Sequence, residues 1–301
     1  MSRRRSADGP DGLVVVDKPA GHTSHDVVAV VRGIARTRRV GHAGTLDPMA
    51  TGVLLLGLGR ATRLLGHLAL REKEYQATIR LGQSTVTDDA EGEATEALGA
   101  VGLDAAAVAQ EVAALTGALM QVPAKVSAVK IDGKRSYQRM RDGEDVILPP
   151  RPVTVHTFET GPARELTAAD GTPVTDLTAR VVCSSGTYVR ALARDLGAAL
   201  GCGGHLTALR RTRVGPYALT DARTLDELRA ELAVSPLAET AAAAFPRWDV
   251  DQRQATLLGN GARIATPELP AGPVAVFDPD GRFLALVETD GERSRSLAVF
   301  V

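Results

Sequence analysis

The sequence predicts an α+β fold, in which strand-period and helix-period segments interleave and a short, mostly β stretch closes the chain. Three observations carry that prediction. Tyr75-Gln76-Ala77-Thr78-Ile79-Arg80-Leu81 alternates apolar and polar residues, as a half-buried strand does. Val27, Val28, Val31 and Ile34 recur at helical spacing behind the capping candidates Thr23 and Ser24. Composition shifts near Asp221, and from Trp248 onward a short helix is followed by strand patterns joined by the turn Asp278-Pro279-Asp280-Gly281.

Taken in order, residues 1–10 read as a flexible basic tail. Leu13 to Asp17 is a buried strand running into the turn Lys18-Pro19-Ala20-Gly21. The first helix ends in Arg36, Arg38 and Arg39, cations that suit a helix C-terminus. Gly41 to Gly52 reads as a loop around Asp47-Pro48, followed by the strand Val53 to Leu58 and a helix over Ala61 to Leu70. Pro48 disfavours helical backbone at Asp47, and the flanking glycines permit sharp bends or close approach of a ligand. Thr85 to Glu93 is an acidic turn and Leu103 to Leu115 an amphipathic helix stopped at Gly117. Arg151 to Phe158 and Val174 to Cys183 are strands separated by a loop over Gly161 to Gly171. An extended Tyr188 to Arg190 would put those two side chains on one face before a helix over Ala191 to Leu200. Leu206 to Gly215 is a strand with a basic edge, and Leu225 to Leu232 an acidic helix.

With 301 residues the chain has room for a large domain and a small one; 44% hydrophobic and 24% charged residues suit a globular protein. No apolar run reaches membrane-spanning length, and Leu13 to Val16 is too short for a signal-peptide core. The two cysteines, Cys183 and Cys202, form neither a disulfide framework nor a zinc-ribbon spacing and suit a reducing compartment. His22, His25 and His42 match no metal template, and Gly57-x-Gly59 lacks the rest of a dinucleotide fingerprint. No metal or cofactor is therefore expected. A net charge of −1 gives no global pull toward nucleic acid, so any RNA surface must be local.

One such surface is visible. Between Lys125 and Arg141 lie six basic residues (Lys125, Lys130, Lys134, Arg135, Arg139, Arg141) and one acid, Asp132, with Tyr137 among them. Asp132-Gly133 marks a hairpin turn. Cations can neutralise phosphates while a ring stacks a base; the competing reading is a plain solvated hairpin.

Five stretches stand out: Asp17-Lys18-Pro19-x-Gly21-x-Thr23-Ser24, the Gly41 to Gly52 loop, Lys73-x-Tyr75, Val126-Ser127-Ala128-Val129-Lys130, and Ser185-Gly186-Thr187-Tyr188-Val189-Arg190 with Asp195-Leu196-Gly197 behind it. Together they resemble the TruB family of tRNA pseudouridine-55 synthases. They fall in family order over roughly residues 12 to 215. Position 43 is Ala where many members carry Thr, and position 45 is Thr where many carry Ala; neither touches the carboxylate.

The resemblance implies a large mixed, mainly antiparallel sheet flanked by helices (the pseudouridine synthase fold) over residues 11–245, with a basic hairpin insertion at 123–150. A small β-rich, PUA-like RNA-binding domain would follow over 246–301. It implies a redox-neutral isomerase that detaches uracil from ribose and rejoins it through ring carbon 5. Asp47 would be the nucleophile. It must be ionised, and Arg190 would oppose the effect of burial on its carboxyl. The target uridine, in the T-loop of tRNA, must be flipped out of its stack. His42 would fill the gap, Tyr75, counted with Asp47 and Arg190 as catalytic, would pack on the flipped base and help move the carbon-5 proton, and Tyr188 would line the pocket. Lys130, Lys134, Arg135, Arg139 and Arg141 would bind the T-arm, while Lys18 would belong to the binding site mainly by bracing the catalytic loop. The implied partner is tRNA, with no membrane, no obligate protein partner and a monomeric chain in the cytoplasm. Two competing expectations are the same chemistry on another RNA stem-loop and a non-catalytic RNA-binding or folding protein.

Overall fold

The structure is a computed structural model that describes residues 9–124, 130–131, 134–135 and 148–300. The basic tail, the Asp132-Gly133 turn and the positions Lys125, Tyr137, Arg139 and Arg141 lie outside the described residues, apart from Gly9 and Pro10. The fold is α+β, with a large, mainly antiparallel sheet and a separate β-rich sheet near the C-terminus. By compactness the chain divides into two units, neither continuous in sequence: residues 1–48, 52–70 and 214–301, and residues 49–51 with 71–213.

In the first unit, the strand Gly12–Lys18 pairs antiparallel with Thr51–Leu58, Val14 opposite Leu56 and Lys18 opposite Gly52. The run Val53–Leu56 is wholly buried, which is why it reads as continuous rather than alternating apolar sequence. It also pairs antiparallel with Val40–Ala43, His42 opposite Leu56. The central segment is thus a strand up to Ala43 and a loop only beyond it. Two facts hid the strand: it is four residues long, and Gly41 interrupts its apolar pattern. A methyl group at Gly41 would come 2.9 Å from Leu65 Cδ1, so the position is kept small by packing.

The helix Ser24–Ala35 begins at Thr23, whose hydroxyl accepts from Asp26 N at 3.1 Å while the Asp26 carboxylate accepts from Thr23 N at 2.8 Å. Val27, Val28 and Val31 are buried as the spacing requires. Gly59–Leu64 is 3₁₀ and only Leu65–Leu68 is α-helical, where a single helix over Ala61 to Leu70 was expected.

The C-terminal sheet runs Arg247–Asp249, Val274–Phe277, Phe283–Thr289, Ser294–Val299. The first pair is parallel and the others antiparallel. Strand alternation divides it between two cores. Ala275, Phe277, Phe283 and Leu286 share a cluster with Leu13, Val15, Val53 and Leu55, whereas Val274, Val276, Leu284 and Val287 pack with Trp248, Val250 and Leu258. Arg60 adds a polar tie, donating to the Phe300 carbonyl at 2.7 Å. The strand Ser294–Val299, largely polar and half exposed, carries no alternation strong enough to be read in advance.

In the second unit the strand order is Gly204–Val214, Lys73–Leu81, Pro173–Cys183, Arg151–Thr167, Gly117–Gln121. Lys73–Leu81 alternates as expected and sets Tyr75 opposite Val181. The expected loop over Gly161 to Gly171 is mostly strand. Arg151–Thr167 continues through a register shift between Thr160 and Ala163 and turns only after Thr167. Gly161 sits in the bulge, where an added methyl would meet Thr178 Oγ1 at 2.3 Å. Asp104 caps the helix Ala105–Ala114. The segment Lys130–Ile131 pairs antiparallel with Lys134–Arg135, the hairpin backbone read from the sequence. Among the described residues no helix is long and apolar enough to cross a membrane.

Candidate active site

In the first unit the loop after Ala43 holds Asp47 between two anchored peptides. On one side, Ser24 donates from Oγ to the Leu46 carbonyl at 3.1 Å and accepts from Leu46 N at 2.9 Å. On the other, the Pro48 carbonyl accepts from Gly21 N at 2.9 Å and from Lys18 Nζ at 3.1 Å. Lys18 is fully buried, and its ammonium also donates to the carbonyls of Pro19 at 2.9 Å and His22 at 2.6 Å. A buried ammonium surrounded by main-chain carbonyls braces the loop from inside and is not presented to a phosphate. Gly44 and Gly52 take positive φ of 74° and 98° at the ends of the loop, a conformation that L side chains rarely adopt. The half-buried Asp47 carboxylate is therefore carried on backbone fixed at both adjoining residues.

His42 leaves the strand Val40–Ala43 two residues before the Gly44 bend, and its ring meets that of His25 edge-on at 5.3 Å.

In the second unit Tyr75 is buried on the central strand Lys73–Leu81. Lys73, two residues earlier, is buried opposite Cys183 and donates to the Arg71 carbonyl at 2.7 Å. Burial, reinforced by the Arg211 guanidinium, pulls its ammonium down to about 8. Burial pushes the Cys183 thiol up to about 11, an inert, protonated group.

Tyr188 and Arg190 are not on a strand. The helix Val189–Ala199 starts two residues earlier than expected, so Tyr188 is its N-cap and Arg190 lies in its first turn. The expectation of two side chains sharing one strand face is thereby corrected. Tyr188 makes no side-chain cap bond; its peptide is held by the buried Gln121, which accepts from Tyr188 N at 2.8 Å and donates to Tyr188 O at 3.1 Å. A helix without Ser, Thr, Asp or Asn at its cap offers no start signal to a sequence reading.

Arg190 is nearly fully buried; its Nη1 donates to the Thr87 carbonyl at 2.7 Å and lies 3.3 Å from Asp89 Oδ2. One helical turn on, Arg194 meets Asp88 Oδ2 at 3.1 Å and Asp195 Oδ1 at 2.8 Å and donates to the Val122 carbonyl at 2.9 Å. Burial raises the Asp88 carboxyl above its ordinary range, with Arg194 and Arg190 opposing the shift. The acidic turn read from the sequence is thus a docking loop for two arginines at i and i+4. The tandem Asp88-Asp89 facing an Arg-x-x-x-Arg helix was the available signal, and pairing across about a hundred residues of chain concealed it.

Of the basic residues assigned to RNA, Lys130, Lys134 and Arg135 lie on the short hairpin strands. Arg139 and Arg141 lie outside the described residues.

The chain matches the profile of the TruB family pseudouridylate synthase N-terminal domain over residues 32–189. It also matches the tRNA pseudouridylate synthase B C-terminal domain over 190–243, and the C-terminal domain of tRNA pseudouridine synthase II over 245–301. A tRNA pseudouridine synthase B from Streptomyces griseus subsp. griseus is 68% identical over 97% of both chains. One from Thermobifida fusca is 61% identical over 96% of this chain and 98% of its own. Among solved structures, a chain of a Cbf5-Nop10-Gar1 complex superposes with a TM-score of 0.71 at 27% identity, covering 96% of this chain and 85% of that one. At 24% identity, a chain of an H/ACA RNP bound to a substrate RNA containing 2'-deoxyuridine shares the fold with a TM-score of 0.70, over 96% of this chain and 85% of that one. Profile, relatives and fold agree along nearly the whole length: the chain belongs to the TruB family of pseudouridylate synthases.

Proposed function

We propose that the chain isomerises uridine to pseudouridine in tRNA, acting alone in the cytoplasm on position 55 of the T-loop, with Asp47 as nucleophile. The observation that carries the assignment is the anchoring of Leu46 and Pro48 by Ser24, Gly21 and Lys18, which fixes the backbone on both sides of a single carboxylate. A pre-positioned nucleophile avoids the entropic cost of ordering it during the reaction. Arg190 is assigned as the cation favouring the charged form of Asp47. Tyr75 is assigned to stack on the flipped uracil and Tyr188 to line its pocket. His42 fills the space that the base vacates. Lys18 serves the site by holding the loop. Lys130, Lys134, Arg135, Arg139 and Arg141 neutralise phosphates of the T-arm, and residues 246–301 extend the RNA footprint as a PUA-like module appended to a catalytic part at 11–245. No metal, cofactor or protein partner is assigned a step.

The test is direct. Purified chain is incubated with unmodified tRNA and pseudouridine is mapped; product is expected at position 55. An isolated T-arm hairpin should also be a substrate, and preference for an unrelated stem-loop would move the assignment to another RNA. Asp47→Asn should bind tRNA within about twofold of wild type and yield no product, the loss expected when a covalent catalyst is removed. Substantial remaining turnover would take Asp47 out of the nucleophile role.

A further inference from the structure

Gln121 is the last residue of the strand Gly117–Gln121, at the root of the segment that leads into the basic hairpin. It is 4% exposed, and such a position ordinarily takes an apolar residue. Its carboxamide closes a ring of two hydrogen bonds on the main chain of one residue, accepting from Tyr188 N at 2.8 Å and donating to Tyr188 O at 3.1 Å. That residue is the junction at which extended chain (φ −103°, ψ 105°) becomes the helix that carries Arg190. A second bond repeats the connection one residue on, Arg194 donating to the Val122 carbonyl at 2.9 Å. The same Arg194 holds Asp88, whose neighbour Asp89 pairs with Arg190.

We propose that Gln121 is a positioning residue for the isomerisation, fixing the Tyr188–Arg190 segment in register with the root of the basic hairpin. The inference rests on the reading that Tyr188 and Arg190 serve the reaction. Gln121 acts through the main chain of Tyr188. Its N–H and carbonyl lie at a junction where displacement is transmitted along the first helical turn, and a misplacement of about 1 Å can cost about 100-fold in rate.

Two substitutions test this. Gln121→Met keeps length and apolar bulk but removes donor and acceptor. The single-turnover rate on bound tRNA should fall at least ~10-fold, with the tRNA Kd within about twofold and the melting midpoint lowered by no more than about 3 °C. Gln121→Glu can rebuild both bonds only when protonated; ionised, it has no donor and sets a negative charge against the Tyr188 carbonyl. The ratio of its rate to that of wild type should therefore rise on acidification between about pH 8 and about pH 5, while the ratio for Gln121→Met stays flat. A role confined to stability would lower the melting midpoint without that pH-dependent recovery. The proposal is overturned if bound tRNA turns over at the wild-type rate in Gln121→Met, or if the Gln121→Glu ratio does not change with pH. An Arg190→Ala chain with wild-type activity would instead remove the underlying reading, whatever the Gln121 variants do.

Discussion

Replacing Ser24 by alanine tests whether the catalytic loop is held from its flanks. Ser24 is 1% exposed and Leu46 4%, so the Leu46 peptide cannot exchange its serine partner for bulk water. Alanine fits the space but leaves Leu46 N and O without the bonds of 2.9 and 3.1 Å that Oγ supplies. An orphaned buried donor costs about 1–3 kcal/mol, and an under-satisfied carbonyl costs less because its second lone pair is often idle anyway. The expected destabilisation is about 2 kcal/mol. Unfolding entropy of about 2.1 cal/mol/K per residue then places the melting midpoint about 3 °C lower. Catalysis should suffer more than stability. Asp47 keeps its anchor at Pro48 but loses the one at Leu46, so the single-turnover rate should fall about tenfold while tRNA affinity is unchanged. Ser24→Cys, with a weak donor and acceptor, should fall between alanine and wild type. Differential scanning calorimetry and rapid-quench assays of pseudouridine formation measure the two effects. A Ser24→Ala chain that melts within about 1 °C of wild type and reacts at the wild-type rate would refute the view that the flanking peptides set the nucleophile's position.

If Arg190 is the cation of Asp47 as proposed, Arg190→Ala should abolish most activity and move the acidic limb of the pH–rate profile upward, because the charged carboxylate would lose that cation. An unchanged profile at full activity contradicts the role. Lys73 gives a stability signature: its ammonium titrates near 8 in the folded chain and at 10.5 ordinarily, so the unfolded chain binds more protons between those values. Its contribution is fully present above 10.5 and is lost as pH falls through about 8. The stability difference between wild type and Lys73→Met should therefore shift toward wild type by about 3 kcal/mol from neutral to strongly alkaline pH, read from urea midpoints. Cys183, with its thiol near 11, should resist iodoacetamide at pH 8 in the native chain and react only after unfolding; rapid native labelling, read by mass spectrometry, would contradict its burial.

What the sequence reveals of this protein follows from what periodicity can encode. Alternation in Tyr75–Leu81 places that strand and its buried face correctly, and the capping candidates Thr23 and Ser24 before the helical spacing of Val27, Val28 and Val31 announce the first helix. The pairing of Lys130–Ile131 with Lys134–Arg135 and the turn at Asp278–Gly281 agree with residues that suit tight turns. The strand at Val40–Ala43 and the continuation of Arg151–Thr167 past Gly161 escape notice because glycines there serve packing and a bulge, whereas in isolation they read as loop. The early helix start at Val189 escapes for another reason. Its N-cap, Tyr188, is held through its main chain by a glutamine 67 residues away, and no local pattern names a partner at that distance.

The same distinction explains how the candidate site is built. Lys18, Ser24 and Gln121 all spend their side chains on main-chain groups: carbonyls of Pro19, His22 and Pro48, both groups of Leu46, and both groups of Tyr188. Arg190 and Arg194 likewise each donate to a backbone carbonyl, of Thr87 and of Val122. A side chain bonded to a peptide constrains whichever residue that peptide carries, so positional precision at Asp47 and Tyr188 is supplied by neighbours that the chemistry itself does not require. Ser24 and Gln121 are polar residues on buried faces, and a buried polar residue bonded to the main chain beside a reactive loop is the structural trace of such a role. It follows that conservative changes at these supports should lower the rate on every RNA substrate by a similar factor, whereas changes in the basic hairpin should lower affinity in a salt-dependent way. Parallel assays of Ser24→Ala and Lys134→Ala at two salt concentrations separate the two behaviours, and a Ser24→Ala defect that deepens with salt would place Ser24 among the RNA contacts.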